Sequence, residues 1–269
     1  TFARIPYFVE IDRDKDITIE LISTTNGGQI VNNEYRQRFG SGIVDVDFSG
    51  TVTDIKPKTV GANNQVEGKN KPRGHLFGHF RHHAKSNVRA GADIRLSSDD
   101  TYLQRYSFSN DTVLENNIFV EAFDNDSYIA ANAYLWQDLR PKNRQGEMPI
   151  VLPFLQYHYV SPLTHSGGNF DIDANFTALT RTNGTDSRRI SIRSSWNQRT
   201  ISSSGHLFGA FAMLQTDLYQ ASEVSEENQS AVDTSSGYAG RIYPRVGVDW
   251  RFPLETILGT TSLQLEPIA

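Results

Sequence analysis

Val88-Arg89-Ala90-Gly91-Ala92-Asp93-Ile94-Arg95-Leu96 decides the fold. Val88, Ala90, Ala92, Ile94 and Leu96 take every second position, and Arg89, Asp93 and Arg95 stand between them. A period of two puts one set on each face of a β-strand. The same rhythm recurs along the chain. Ile17, Ile19 and Leu21 alternate with Asp16, Thr18 and Glu20, and Val44, Val46 and Phe48 with Asp45 and Asp47. Phe170, Ile172, Ala174 and Phe176 alternate with Asp171, Asp173 and Asn175, and Val246, Val248, Trp250 and Phe252 with Arg245, Asp249 and Arg251.

Read outward from these stretches, the strands span 2–11, 15–24, 29–39, 42–55, 74–83, 87–97, 102–109, 114–123, 127–137, 152–160, 168–181, 187–198, 206–219, 240–252 and 260–266. Many run to roughly ten residues, the length a tilted strand needs to cross a bilayer. Thr24-Thr25-Asn26-Gly27-Gly28 and Arg181-Thr182-Asn183-Gly184-Thr185-Asp186 carry hairpin turn signals. Lys56 to Arg73 and Gln220 to Gly237 read as long loops at one mouth of a barrel. No useful helix and no composition shift marks a domain boundary, so residues 1–269 read as one region.

Alternation alone also fits a soluble sandwich or β-helix with one wet face. Three features favour an all-β, antiparallel transmembrane barrel. The strands are long. One file is Ile, Val, Ala, Leu and Phe, and its opposite carries charges of both signs. Aromatics such as Tyr7, Phe8, Tyr102, Tyr106, Tyr157, Tyr159, Tyr219, Tyr238 and Tyr243 stand near strand ends, as in interfacial girdles.

Composition narrows the function. With 26 basic and 31 acidic residues the net charge is −5, which argues against nucleic acid as a partner. There are 0 cysteines, so disulfides and thiolate metal sites are excluded for this stretch. No apolar run approaches the 18 or so residues of a spanning helix, so a membrane would be crossed by a closed barrel. The chain opens on Thr1 and reads as processed or partial.

Candidate chemistry is sparse. His75, His79 and His83 share a strand face, but neighbours along it stand roughly 13 Å apart, too far to hold one ion. Asp45/Asp47 and Asp171/Asp173 have the roughly 6.6 Å separation of carboxylates two residues apart on a strand, which any wet face repeats. Asp124-Asn125-Asp126 lacks the Gly and distal Glu of a calcium loop. No phosphate loop or nucleophile elbow is present, so neither a catalytic site nor a cofactor is expected. The most informative residue is Pro6 in Ile5-Pro6-Tyr7-Phe8-Val9-Glu10-Ile11. A strand proline removes a ladder donor and belongs on an edge. It marks either a strand start or a weak seam that parts easily.

Several stretches resemble the LptD family of lipopolysaccharide-assembly proteins (organic-solvent-tolerance proteins), in its alphaproteobacterial form and in the barrel portion. They are Ile5-Pro6-Tyr7-Phe8 with Asp16-Ile17-Thr18-Ile19; Asn33-Glu34-Tyr35-Arg36-Gln37-Arg38-Phe39; Ser98-Asp99-Asp100-Thr101-Tyr102-Leu103-Gln104-Arg105-Tyr106; Gln156-Tyr157-His158-Tyr159-Val160-Ser161; Ala178-Leu179-Thr180-Arg181-Thr182; Gly184-Thr185-Asp186-Ser187-Arg188-Arg189; and Glu266-Pro267-Ile268-Ala269. The resemblance implies a barrel of roughly two dozen strands holding an LptE-type plug lipoprotein. It implies a periplasmic jellyroll, absent from this chain along with the C-terminal strands, that receives lipopolysaccharide from an LptA-type bridge. It also implies a lateral gate between first and last strands, opening to the outer-membrane lipids. Pro6 matches a strand proline of that gate, and Tyr7, Phe8 and Val9 follow as its neighbours.

The expectation is lipopolysaccharide translocation through a polar lumen and a lateral gate. Arg89, Arg95, Arg188 and Arg193 are candidate lumen contacts for phosphate or saccharide, with cross-strand pairing to Asp and Glu as their alternative role. A general porin, or a soluble all-β carbohydrate-acting protein, is the competing reading.

Overall fold

The computed structural model describes residues 2–25, 27–55, 68–140, 145–224, 235–259 and 261–269. The fold is a single antiparallel meander. β1 (Phe2–Asp12), β2 (Lys15–Thr24), β3 (Gly28–Phe39), β4 (Gly42–Ile55), β5 (Gly68–Lys85), β6 (Val88–Ser97), β7 (Val113–Phe123), β8 (Ser127–Asp138), β9 (Ile150–Val160), β10 (Gly168–Thr180), β11 (Asp186–Ile201), β12 (Leu207–Val224) and β13 (Ser235–Arg251) pair in chain order in one 13-stranded sheet. Each strand pairs with its sequence neighbours, as short connections between antiparallel strands dictate. β1 and β13 form the two edges and do not pair with each other, so this stretch of wall is open.

The register keeps the two files on opposite faces. Across four strands, Ile129, Tyr157, Ala174 and Ile192 stand in one row and Ala131, Leu155, Phe176 and Ile190 in the next. No second layer covers this apolar face among the described residues. Ile118, Ile129, Ile190 and Val248 are all exposed on it. A water-soluble sandwich buries such a face against another sheet, whereas a barrel in a bilayer leaves it bare for hydrocarbon.

Three expectations need correction. Residues 102–109 are not a strand. Tyr102–Arg105 form the short helix α1 in the connection between β6 and β7. Tyr102 and Tyr106 stand four apart and both pack inward, a helical spacing rather than a strand's. They therefore belong to no girdle. Next, 260–266 is a strand, but it lies outside the main sheet: β14 (Leu254–Leu258) pairs with β15 (Thr261–Leu265) as a separate hairpin. The chain then returns, and Ala269 exchanges backbone hydrogen bonds with Trp250 on the free edge of β13. Finally, β5, β11, β12 and β13 run longer than expected. The loops expected at 56–73 and 220–237 are shortened accordingly, and their central parts, 56–67 and 225–234, lie outside the described residues.

The longest connections share one end. Those after β2, β4, β6, β8, β10 and β12 emerge at one end, and those after β1, β3, β5, β7, β9 and β11 at the other. The longer ones, including Ser98–Thr112, are at the first end. That end also holds the core of Ile22, Ile30, Tyr102, Leu103, Tyr106, Leu114 and Leu139. β1 runs from the long-loop end to the short-turn end, because Phe2 pairs with Thr24 and Asp12 with Lys15.

Candidate functional site: the charged face and its inward loop

The charged face is a lattice of ion pairs built by alternation and register. Asp93 takes His79 Nδ1 at 2.8 Å and Arg81 Nη2 at 2.7 Å. Asp173 repeats the arrangement with His158 Nδ1 at 2.6 Å and Arg193 Nε at 3.1 Å. Asp217, fully buried, binds Arg189 at 3.3 Å and Arg241 at 2.5 Å. Pairs that place opposite charges across strands neutralise each other where the face would otherwise repel or trap ions.

The expected arginines meet different fates. Arg89 pairs with Glu121 at 2.8 Å, Arg95 with Asp111 at 2.5 Å, and Arg193 with Asp173. For these three, pairing across or beside strands is what the structure records. Arg188 is not on the charged face. It stands two positions before Ile190 on the apolar file and donates to Gln220 Oε1 at 3.3 Å. The histidines are dispersed: His75 bonds Ser49, His79 bonds Asp93, and His82 faces away against Phe39 and Phe80. Asp45 stands opposite Arg36, Asp47 lies 3.4 Å from His75 Nε2, and Asp171 accepts from Ser195. Asp124 closes the turn to Ser127.

Pro6 lies on the edge strand β1 opposite Glu20, which fits its missing donor. Register puts Pro6 and Phe8 on the charged face and Tyr7 and Val9 on the apolar one, with Tyr7 and Phe8 well exposed. Proline is not peculiar to that edge. Pro244 is on the edge strand β13 opposite Leu214. Pro72 lies where β5 overhangs β6 and pairs with β4 alone, and Pro153 interrupts both ladders of β9. Each marks a local gap in the ladder, so proline by itself does not single out a gate.

The most organised cluster was not expected from the sequence. Arg73, with its side chain out of solvent, grips Asp99 with two bonds of 2.7 Å and Thr101 Oγ1 at 2.8 Å. Its guanidinium also lies 5.5 Å from the Tyr102 ring and 5.7 Å from that of Tyr106. Tyr102 OH, Ser49 Oγ and His75 Nδ1 are linked by contacts of 2.6 Å. Tyr106 OH donates to Gly27 O at 2.9 Å. A side chain at Gly27 would meet the Tyr106 ring at 2.9 Å, so glycine lets the loop seat. Burial pushes the Tyr102 hydroxyl up to about 12, which keeps it a neutral hydrogen-bonding group. Burial alone would raise the Asp99 carboxyl. The bonds from Arg73 and Thr101 outweigh it and hold the group below the usual range. Ser109 and Arg95 do the same for Asp111. The connection between β6 and β7 is thus pinned flat on the charged face. The signal for it was Ser98-Asp99-Asp100-Thr101 followed by tyrosines four apart.

Beneath this loop the sheet itself parts. β6 and β7 pair only from Val88↔Ala122 to Asp93↔Asn117. Beyond that, side chains replace the ladder. Arg95 N donates to Asn116 Oδ1 at 2.7 Å and Ser97 N to Gln137 Oε1 at 3.0 Å, while Gln137 Nε2 returns a bond of 2.7 Å to Ser97 O.

No group of three metal-ligating side chains converges among the described residues. What the face offers is a long polar surface with its charges balanced, backed by an apolar exterior. A comparison with curated proteins gives no match. The family model described as LptD, LPS transport system D, matches residues 71–269, from within β5 to the last residue. That family works in transport and assembly at the outer membrane, with lipopolysaccharide as its substrate. By that match, which spans well over half of its length, the chain belongs to the LptD family.

Proposed function

We propose that residues 1–269 are one region of the barrel wall of an LptD protein of the alphaproteobacterial type, and that lipopolysaccharide moves along this wall into the outer leaflet. The charged face borders a lumen that carries the saccharide and holds an LptE-type plug. The apolar face meets the outer-membrane lipids. Cargo arrives by an LptA-type bridge docked on a jellyroll. The observation that carries this reading is the pairing of charges on one face opposite a bare apolar file. Arginines already satisfied by carboxylates hold an anionic saccharide weakly and let it pass, which suits a conduit better than a storage site. Arg89, Arg95 and Arg193 then act by brief exchange of partners with phosphate groups.

The lateral gate is assigned to the β1 edge, with Pro6, Tyr7, Phe8 and Val9. Its support is the missing donor on a strand that β2 alone pairs among the described residues.

The test is photo-crosslinking in cells, using the full-length protein. A crosslinker at Asn175, on the charged face, is expected to capture lipopolysaccharide only while the bridge supplies it. Capture that persists without supply, or its absence at every charged-face position, contradicts the proposal.

One observation favours a general porin instead: the connection Ser98–Thr112 folds inward like a constriction loop. A porin conducts ions in a planar bilayer as a wide open pore. A plugged transporter is expected to stay nearly silent until its lipoprotein is removed.

A further inference from the structure

The apolar face is not uniform. On it lies a groove of about 490 Å³ lined by Ala131 and Ala174 together with Leu155, Tyr157, Ile190 and Ile192. Small residues in two adjacent rows leave the hollow, and the larger ones wall it. The β11 side of this groove continues along one file, Ile192 to Ile190 to Arg188. Arg188 is about 6.6 Å further along the strand, at the spacing of successive residues on one face. It is two residues from the start of β11, at the long-loop end.

Arg188 is unlike the arginines of the charged face. Those named above bind carboxylates, whereas Arg188 has no acidic partner among the described residues. Its contact is the amide oxygen of Gln220, whose Nε2 donates to the exposed Tyr238 OH at 3.2 Å. At the long-loop end it is also the one strand cation that register turns to the apolar side among the described residues. A guanidinium has five donors in a planar fork that matches phosphate oxygens. One donor is used, and on the proposed barrel reading a position two residues from the strand start puts the others near the level where hydrocarbon gives way to headgroups.

We infer that this groove and Arg188 form an external lipid site, in which the acyl chains of a phosphorylated membrane lipid lie over Ala131 and Ala174 and its phosphate meets Arg188. The inference rests on the proposal that the apolar face is membrane-exposed. It adds a site on the outside of the wall, away from the lumen and from the β1 edge. Such a site would retain a phosphorylated lipid beside β10 and β11 in preference to a zwitterionic one.

The experiment uses the full-length protein in phosphatidylcholine nanodiscs, with a fluorophore on a cysteine at Thr180, on the same file of β10 as Ala178, which stands opposite Arg188. Spin-labelled phosphatidic acid and spin-labelled phosphatidylcholine are compared as quenchers at equal mole fraction. Phosphatidic acid is expected to be enriched about fivefold, the contribution of one arginine facing an anionic lipid. Arg188→Gln should abolish the preference, Arg188→Lys should retain part of it, and Ala174→Phe should weaken quenching by filling the groove. Equal quenching by both lipids in the unaltered protein, or a preference that survives Arg188→Gln, overturns the site while leaving the wall lipid-facing. Quenching by neither lipid overturns the site together with the barrel reading beneath it.

Discussion

Arg73 shows what one residue can hold. Its side chain is buried, its charge is shared between Asp99 and two tyrosine rings, and its loss strands a carboxylate in a poorly hydrated place. Removing one partner of such a pair costs about 3 kcal/mol or more. Arg73→Ala is therefore expected to raise hydrogen exchange at Arg105 and Phe108, whose amides bond Thr101 O and Leu103 O, on the order of a hundredfold, with little change in β11. The Asp99 carboxyl adds a pH dependence of known sign. Because its folded value lies below the ordinary one, its contribution is complete above about pH 4 and declines as the pH falls through the depressed value. Loop protection should stay level from pH 8 to about 5 and decline only in stronger acid. A loss already present at pH 6 would point to a histidine instead. At this scale the sequence was only partly legible. The candidate lumen contacts grouped Arg188 with Arg89, Arg95 and Arg193, although alternation alone already turns Arg188 to the other face, because it shares its parity with Ile190 and Ile192. Which arginine meets which carboxylate depends on register, and register is set by pairings that no single strand contains.

The elements were more legible than their exceptions. Fourteen of the fifteen strands follow from period-two patterning with boundaries shifted at the ends, and only β14 has no counterpart among the expected spans. The connection between β6 and β7 was misread because Tyr102, Tyr106 and Phe108 suit a strand as well as a packed turn. The aromatics near strand ends divided for the same reason: register turns Tyr157 outward with Ile129 and Ala174 but Tyr219 toward Arg189. The partial ladder between β6 and β7 leaves Arg95 N and Ser97 N dependent on two amide side chains. Replacing either amide leaves a backbone donor without its partner, at about 1–3 kcal/mol. Asn116→Ala should speed exchange of the Arg95 amide, and Gln137→Leu that of Ser97, each by at least about tenfold, while Asp93 is unaffected. Equal protection in both variants would mean that β6 and β7 re-pair once the amides are gone.

At the scale of the molecule, the account depends on what touches each face. Thirteen strands in sequence order carry an uncovered apolar file on one face and a file of paired charges on the other, and the proposed function puts hydrocarbon against the first and water against the second. The family match adds the cargo, and the pairing of charges explains how a wall rich in arginine need not trap an anionic one. Residues 1–269 contain no cysteine, so once any cysteine elsewhere in the full-length protein is replaced, spin labels can be attached one at a time from Arg189 to Arg193 on β11 in that protein, reconstituted in lipid vesicles. Electron paramagnetic resonance then compares relaxation by oxygen, which concentrates in hydrocarbon, with relaxation by a water-soluble nickel chelate. The account predicts strict alternation, with oxygen dominant at Ile190 and Ile192 and nickel dominant at Arg189, Ser191 and Arg193. Labels at Ile190 and Ile192 that neither reagent reaches would place the apolar file in a protein interior and contradict it.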